Sequence, residues 1–360
     1  MFSISQVKRS TLTVTKEEKS HQKIPPHDEI KLQTCSDSEL CIDLRECPIY
    51  KEYATIGFRY WPAELKKMAK DKICNQEMSS SSGPQQRIIS VCCPTVMNSR
   101  ICGIQAGDRI SKGLVAKPFE YPWMALLQDQ NGRFVCGGTL ISNRYVLTAA
   151  HCVKFSGIQT VRLGENDINS EEDCNVLDGE VDCAPPPQNI KVDKTIIHPE
   201  HSERRKLNDI ALLRLERDAV IGESVRPICL PNRDHLQRVI APSFLIVSGW
   251  GLTDRNESFD VLRYAKVPPV PLTECAPRVQ SLITAVRLDD SHVCAGGVNE
   301  VDNCAGDSGG PLQYISNTTS KYIQYGIVSF GTKKCGILSE PGVYTKVEHF
   351  ISWIFSIVKE

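Results

Sequence analysis

The chain has 360 residues, enough for two domains, and 41% of them are hydrophobic, as is ordinary for globular proteins. Its 42 basic and 43 acidic side chains nearly cancel, so charge favours neither nucleic acid nor an anionic membrane as a partner. The lack of any uncharged apolar run of about 18 residues argues against a membrane-spanning helix.

The sixteen cysteines indicate the compartment. An even, high count without repeated Cys-x-x-Cys pairs predicts disulfides, which persist in an oxidising environment, rather than the zinc sites of a cytosolic protein. Residues 1–30 contain no apolar core typical of a secretory signal, so the expectation of a secreted, extracellular protein depends on the cysteines. Asn256 and Asn317 begin acceptor tripeptides for glycosylation.

The N-terminal part of the chain divides into three segments. Residues 1–34 are rich in Lys, Ser, Thr and Glu without hydrophobic periodicity, which predicts a disordered lead-in. Residues 35–93 carry six cysteines, and so short a segment needs disulfides to hold it together, so we expect a small disulfide-rich domain. Within it, the serine-rich residues 78–84 predict a flexible loop. Residues 94–109 form a linker to the rest of the chain.

Residues 110–360 carry short β-branched and aromatic runs separated by turn residues. Examples are residues 145–148 (YVLT) and 322–328 (YIQYGIV). Many short strands with turn signals predict an all-β barrel or sandwich. The exception is the C-terminus, where apolar residues between Val347 and Val358 recur at helical spacing.

Three motifs in this part combine the residue types that nucleophilic catalysis needs: residues 148–152 (TAAHC), 208–213 (NDIALL) and 306–311 (GDSGGP). A serine hydroxyl is a poor nucleophile at neutral pH, so a base has to remove its proton. Histidine suits that role, and a carboxylate fixes its tautomer and stabilises its cation. Each motif alone is consistent with an ordinary turn or cap, but the three together favour this chemistry.

Residues 110–360 resemble the chymotrypsin/trypsin family of serine proteases. The resemblance also rests on residues 122–124 (PWM), 136–138 (CGG), 249–251 (GWG) and 341–344 (PGVY). It implies that His151 is the general acid/base, Asp209 its orienting carboxylate and Ser308 the nucleophile. The backbone N–H groups of Gly306 and Ser308 would form the oxyanion hole. The implied fold is two packed six-stranded antiparallel β-barrels with a C-terminal helix, and the chemistry requires no cofactor.

By the same resemblance, Asp302 lies at the base of the pocket for the residue before the cleaved bond. Gly331 and Gly342 match wall positions where glycine leaves room for a long side chain. A buried carboxylate needs a cationic partner, so the resemblance implies cleavage after Arg or Lys. The alternative is a surface aspartate in a loop. Phe330 stands where relatives usually carry tryptophan, so the resemblance does not predict what the neighbouring subsite prefers.

The resemblance further implies a zymogen. Cleavage of one bond frees an N-terminus whose ammonium pairs with the aspartate before the catalytic serine, here Asp307. The bond Arg109–Ile110 has the expected spacing, because Ile110 lies twelve residues before Pro122. Cleavage at Arg100–Ile101 is a competing possibility with the wrong spacing. Since Arg109 is basic, a trypsin-like enzyme, either upstream or this one, has to make the cut.

The cysteine spacing of residues 35–93, with adjacent Cys92 and Cys93 before a trypsin-like domain, resembles clip domains. The insertion at residues 172–186 is similar to that of Grass-type clip proteases. The clip-domain resemblance implies the disulfides Cys35–Cys92, Cys41–Cys74 and Cys47–Cys93. The trypsin-family resemblance implies Cys136–Cys152, Cys275–Cys294 and Cys304–Cys335, and we further expect the pairs Cys102–Cys229 and Cys174–Cys183.

Clip-domain proteases act in extracellular zymogen cascades of arthropods, in Toll activation, prophenoloxidase activation or clotting. The implied partners are a downstream protease zymogen as substrate, an upstream activating protease and a serpin inhibitor. A digestive trypsin is a rival interpretation, disfavoured by the clip domain. A catalytically silent homologue acting as a binding cofactor is another, disfavoured because Ser308 is present with both partners.

Residues 163–172 resemble the calcium loop of trypsin. Glu165 and Glu172 would supply carboxylates, and Asp167 and Ser170 backbone carbonyls, to an ion that prefers about six to eight oxygen ligands. The insertion at residues 172–186 removes the last calcium ligand that the trypsin loop carries. The sequence does not decide whether Glu180 replaces that ligand. The alternative is a solvated acidic loop without calcium.

Overall fold

The computed structural model describes most of the chain from residue 39 onward. The described residues are 32, 39–45, 47, 50, 53, 58–78, 87–94, 101–105, 115–177, 179–231, 243–251, 260–297, 307–317, 319–331 and 340–358. The predicted lead-in, nearly all of the loop at 78–84 and the cleavage site Arg109–Ile110 therefore lie outside the described residues.

A small antiparallel sheet forms the cysteine-rich domain. It contains β1 (Glu39–Asp43), β2 (Ile73–Met78) and β3 (Arg87–Pro94) in the order β1-β3-β2, with helix α1 (Ala63–Asp71) before β2. The predicted disulfides Cys41–Cys74 and Cys47–Cys93 are present: the first links β1 to β2, and the second links the stretch after β1 to β3. The fold of so short a segment therefore depends on covalent links.

Trp61 is the centre of the apolar core in this domain. Its ring lies 5.9 Å from Tyr50 and 5.0 Å from Phe58, measured between ring centroids. Its indole N–H donates to the Tyr53 carbonyl at 2.6 Å, so the one polar atom of the buried ring is satisfied. Tyr50 and Trp61 belong to the same hydrophobic cluster as the buried residues of the barrel described next, such as Trp123, Leu127 and Leu147.

The first part of residues 110–360 is a closed antiparallel barrel, as predicted. Its strands follow the order β10-β11-β6-β5-β4-β7 around the barrel. They are β4 (Met124–Gln128), β5 (Phe134–Leu140), β6 (Tyr145–Thr148), β7 (Thr160–Leu163), β10 (Gln188–Ile197) and β11 (Ala211–Leu215). Helix α2 (Ala150–Ser156) follows β6, and a separate hairpin of β8 (Cys174–Leu177) and β9 (Glu180–Cys183) precedes β10.

The second part is a seven-stranded sheet where six strands were expected. Its order is β13-β12-β16-β17-β18-β15-β14. The strands are β12 (Leu245–Gly249), β13 (Arg263–Val267), β14 (Pro269–Val270), β15 (His292–Ala295), β16 (Pro311–Ile315), β17 (Tyr322–Phe330) and β18 (Gly342–Lys346). The edge strands β13 and β14 are separated only by Pro268, which has no N–H to donate. If β13 and β14 are counted as one interrupted segment, the sheet has six segments, and its two edges are the two parts of that segment. Helix α3 (Leu272–Leu282) follows β14.

The predicted C-terminal helix is present but shorter at its start. Val347–Phe350 form a 3-10 turn, and helix α4 (Ile351–Ile357) follows. Phe350 and Ile354 are buried, as the helical spacing of apolar residues predicts. Among the described residues, no helix is both long and apolar enough to cross a membrane.

A buried polar contact joins the two halves of residues 110–360. The Trp123 indole N–H, from the first barrel, donates to Gln313 Oε1 in β16 at 2.8 Å. The Gln313 amide in turn donates to Ser248 Oγ in β12 at 3.0 Å. Because all three side chains are nearly fully buried, this chain of hydrogen bonds fixes how the halves pack.

Candidate active site

Asp209 is a buried carboxylate that accepts hydrogen bonds from the start of helix α2. The His151 backbone N–H, which has no partner inside the helix, donates to Asp209 Oδ1 at 2.9 Å. The His151 ring Nδ1 lies 2.7 Å from Asp209 Oδ2. Ser329, at the end of β17, donates its hydroxyl to the same Oδ2 atom. Asp209 therefore holds both the backbone and the ring of His151.

The turn before β11 places this carboxylate inside the protein. Asn208 has a φ of 51°, a left-handed conformation that asparagine tolerates better than most residues. Its side chain donates to the Glu200 carbonyl at 3.0 Å, and the Thr345 hydroxyl donates to the Asp209 carbonyl at 2.8 Å. The second half of the protease domain thus anchors the backbone of Asp209.

Two opposing effects set the pKa of Asp209. Burial raises it, but the hydrogen bonds and charge of His151, together with the Ser329 hydrogen bond, hold the pKa below its usual value. The carboxylate therefore stays ionised at neutral pH. An ionised acceptor next to Nδ1 favours the ring tautomer with a proton on Nδ1, which leaves Nε2 free to accept one.

Ser308 lies in a turn that is held between strands of both halves. The Ser308 carbonyl accepts the Gly137 N–H at 2.8 Å, and Gly309 donates to the Val328 carbonyl at 2.9 Å. The Gly310 N–H closes the turn on the Asp307 carbonyl at 2.8 Å. These bonds join the turn to β5 on one side and β17 on the other.

Gly309 brings the serine turn against the histidine segment. A Cβ at this position would lie 2.2 Å from Thr148 Oγ1, 2.5 Å from the Gly137 carbonyl and 3.3 Å from the Ala149 backbone nitrogen. The φ of Gly309 is +81°, a conformation that other residues rarely adopt. Only glycine therefore lets the residue after Ser308 contact the two residues that precede helix α2.

The Asp307 carboxylate lies against the backbone of residues 249–251. The Gly251 N–H donates to Asp307 Oδ1 at 2.9 Å. A Cβ on Gly249 would fall 2.0 Å from the same oxygen, so the carboxylate fills space that glycine leaves open. The GWG stretch noted in the sequence thus packs on the residue that precedes Ser308.

The pocket residues predicted from the sequence are only partly described. Phe330 pairs with Val343, so Gly331 and Gly342 flank that pair where β17 ends and β18 begins. A Cβ on Gly331 would meet no atom within 4 Å, which means that the space beside it is open among the described residues. Asp302 and Gly306 lie outside the described residues.

Six of the eight predicted disulfides are present, the two of the small domain among them. The others are Cys102–Cys229, Cys136–Cys152, Cys174–Cys183 and Cys275–Cys294. Cys136–Cys152 ties β5 to helix α2 next to His151. Cys92 is also disulfide-bonded, but Cys35 lies outside the described residues, as do Cys304 and Cys335.

A serine turn packed against the segment that carries His151, with His151 held by the buried Asp209, lies between a closed β-barrel and a second curled sheet. This arrangement defines a serine hydrolase with a chymotrypsin-like fold. The comparisons with known proteins agree. The model of the Trypsin family matches residues 110–354. This chain belongs to the trypsin family of serine proteases.

Its relatives carry clip domains as well, as the cysteine spacing predicts. Serine protease grass of Drosophila melanogaster is 41% identical over 288 residues, covering 73% of this chain and 74% of the relative. The CLIP domain-containing serine protease HP8 of Bombyx mori is 36% identical over 355 residues, covering 91% and 94%. The crystal structure of the Drosophila Grass clip serine protease of the Toll pathway aligns with a TM-score of 0.63 at 34% identity, covering 88% and 93%.

The Glu165 carboxylate of the expected calcium loop is paired within the protein. Glu165 is buried, and its Oε2 atom pairs with the Arg162 guanidinium at 3.0 Å, while Oε1 accepts the Asn166 N–H at 3.0 Å. The Asp167 carbonyl accepts the Ser170 N–H at 2.9 Å. Glu172 is exposed. A protein cation thus occupies the carboxylate that a calcium ion would need.

Arg162 and Asp173 both hold residues of the expected calcium loop. Arg162 also donates Nε–H to Asn189 Oδ1 at 2.9 Å, which fixes its guanidinium. Asp173 is buried and accepts the N–H groups of Asn166 and Asp167 at 2.8 and 3.1 Å. Burial, and then the nearby charge of Asp173, raise the pKa of Glu165. Two buried acids and one arginine therefore hold the loop together.

Removing calcium is therefore expected to leave stability unchanged. The melting temperature in millimolar CaCl2 should match that in EDTA, measured by differential scanning fluorimetry. Replacing Arg162 with Gln should lower the free energy of unfolding by about 2 kcal/mol, because Glu165 then lacks its charged partner. An increase of several degrees on adding calcium to the wild-type protein would contradict this prediction.

Sequence reasoning missed Ser329 and Thr345, which contact Asp209. Both lie in β-strands whose apolar and β-branched neighbours predict only a strand. Ser329 stands directly before Phe330, at the wall of the predicted pocket. That proximity to Gly331 is the one local signal that could have singled it out.

Proposed function

We propose that this protein is the secreted zymogen of a serine endopeptidase that cleaves after Arg or Lys. The contact between His151 and the buried Asp209, beside the Ser308 turn, carries the proposal. His151 removes the Ser308 hydroxyl proton as the oxygen attacks the substrate carbonyl, then gives that proton to the leaving amine. Asp209 fixes the tautomer of the ring and stabilises its cation.

Substrate recognition follows from the first pocket. Asp302 at its base pairs with the cationic side chain, and Gly331 and Gly342 leave room for it. The open space beside Gly331, as far as the described residues define it, supports this role. The N–H groups of Gly306 and Ser308 stabilise the oxyanion, where one donor is worth about 3–4 kcal/mol in other proteases.

Activation begins with cleavage at Arg109–Ile110. The freed ammonium of Ile110 then pairs with Asp307. Two observations support this step: the Asp307 carboxylate contacts the backbone of residues 249–251, and the Cys102–Cys229 disulfide links the segment before Arg109 to the protease domain. The clip domain thus stays attached after cleavage.

The protease acts in an extracellular cascade of innate immunity, Toll or prophenoloxidase activation. Its substrate is a downstream protease zymogen, its activator an upstream protease and its inhibitor a serpin. The likeness to the Grass protease, which is described as part of the Toll pathway, supports this placement. Exposure of Asn317 suits its glycosylation; Asn256 lies outside the described residues.

The test is to cleave the purified chain at Arg109 and treat it with a serine-directed phosphonate. We expect an adduct at Ser308, and kcat/KM for arginyl amides at least about 100-fold above that for phenylalanyl amides, because an unpaired buried carboxylate is costly. No adduct would favour the silent homologue. Candidate downstream zymogens are then added and their new termini sequenced; equal cleavage of all proteins offered would favour a digestive enzyme.

A further inference from the structure

The hairpin of β8 and β9 stands apart from both halves of the protease domain. Among the described strands, its two strands pair only with each other. All four residues of β9 are exposed. A free two-stranded hairpin is marginal in water, and here the Cys174–Cys183 disulfide closes its base.

One face of this hairpin is apolar although it faces solvent. Val176 is directly opposite Val181, and each is 65% exposed. Since side chains alternate along a strand, this pair shares its face with the Cys174–Cys183 disulfide, two residues away. We call these four residues the valine face.

The surroundings of the valine face are acidic. Of the acidic residues in 163–190, Glu171, Glu172, Glu180 and Asp182 are exposed, and this stretch contains no Lys, Arg or His. The Glu172 carboxylate lies within 4.8 Å of both sulfurs of the disulfide, at the edge of the valine face. Glu180 and Asp182 lie on the opposite face and are exposed.

An apolar surface edged by a carboxylate fits a lysine or arginine side chain. Such side chains lay their methylene stem on apolar atoms and extend the charged end to polar surroundings. With the stem on Val176 and Val181, the charged end reaches Glu172. An acidic partner would bring a like charge against the exposed Glu172, so charge complementarity favours a basic one.

The hairpin is far from the reacting groups. It joins the barrel at the Gln188 end of β10, whereas Ile197 at the other end pairs with Ala211, two residues beyond Asp209. A strand of this length spans about 30 Å. A short peptide in the active site therefore does not reach the hairpin, but a folded protein substrate does.

We propose that the valine face is a docking surface for a Lys- or Arg-bearing segment of the protein substrate, separate from the catalytic site. This inference rests on the proposed function, because the occupant is the substrate of that activity. It adds a second point of recognition, by which the enzyme selects a protein beyond the residue at the cleaved bond.

The first test is binding to the full-length chain in its uncleaved Ser308→Ala form. The probe is a dye-labelled Lys-Val-Lys-Val-Lys-Val-Lys peptide, followed by fluorescence anisotropy, with a peptide of the same charge carrying Ser for Val as reference. We expect the valine peptide to bind at least fivefold more tightly. The double change Val176→Ser and Val181→Ser, and Glu172→Gln alone, should each remove that difference. Val220→Ser, at a valine that is 68% exposed elsewhere, is the matched control and should not change binding.

The second test separates docking from catalysis. The same valine variants in the activated enzyme should hydrolyse an arginyl amide at the wild-type rate, while KM for any cleaved zymogen increases severalfold at unchanged kcat. Equal binding of the probe by wild-type and valine variants would overturn the inference, as would a wild-type dimer that the variants turn into a monomer. An enzyme that hydrolyses no arginyl amide would refute the proposed function instead, and the binding result would still stand.

Discussion

Replacing Asp209 with Asn is expected to lower kcat by about 10⁴-fold, the loss that the equivalent change causes in a well-studied protease of this family. Three donors meet this carboxylate: the His151 N–H at Oδ1, and the His151 ring and the Ser329 hydroxyl at Oδ2. The backbone N–H is an obligatory donor, so it keeps the amide oxygen. The new NH2 group then faces the ring and the hydroxyl, both of which can reverse their roles.

The imidazole of the Asp209→Asn variant therefore accepts at Nδ1 and carries its proton on Nε2. In that tautomer it has no lone pair to take the Ser308 proton, and no carboxylate stabilises its cation. The measurement is kcat for an arginyl amide after cleavage at Arg109, together with the melting temperature, which should change little because the shape is preserved.

Ser329→Ala is the matched control for Asp209→Asn. It removes one hydrogen bond from Oδ2 but leaves the charge and the tautomer of the ring. We expect a loss of about tenfold, in line with one hydrogen bond to a charged acceptor. Equal losses in the two variants would show that the charge of Asp209 contributes no more to kcat than the single hydrogen bond from Ser329.

The chemistry of the site could be predicted from the sequence because each group sits in a dense local motif. The motif around Ser308 needs glycines at fixed positions, and the structure shows why for Gly309, whose missing Cβ admits Thr148. The closed barrel could be predicted for a similar reason, since its strands are short apolar runs between turns. Such signals are local, so they can be recognised in the sequence without knowledge of the tertiary contacts.

Contacts between side chains could not be predicted in this way, even for residues only three apart in the sequence. The calcium loop was expected from Glu165 and Glu172, yet Arg162 at the end of β7 takes the Glu165 carboxylate. Nothing in the order of residues shows that these two side chains turn toward each other. The seventh strand was not expected; it arises because Pro268 divides one edge segment into β13 and β14.

Gly309→Ala is expected to reduce hydrolysis at least about 100-fold, because displacement of reacting groups by about 1 Å costs that much. The added Cβ would lie 2.2 Å from Thr148 Oγ1 and 2.5 Å from the Gly137 carbonyl, which forces the turn away from helix α2. Ser308 then moves relative to the His151 ring. The readouts are kcat for an arginyl amide and the rate of phosphonate labelling at Ser308, both of which should decrease together.

Gly132→Ala supplies the control for this change. Its φ of +78° nearly equals that of Gly309, but a Cβ there meets no atom within 4 Å. It therefore carries the same backbone strain, about 1–2 kcal/mol, without the contact. We expect it to lower the melting temperature modestly and to keep wild-type hydrolysis. If both variants kept activity, the serine turn would not depend on the close approach at Gly309; if both lost it equally, backbone strain alone would account for the effect.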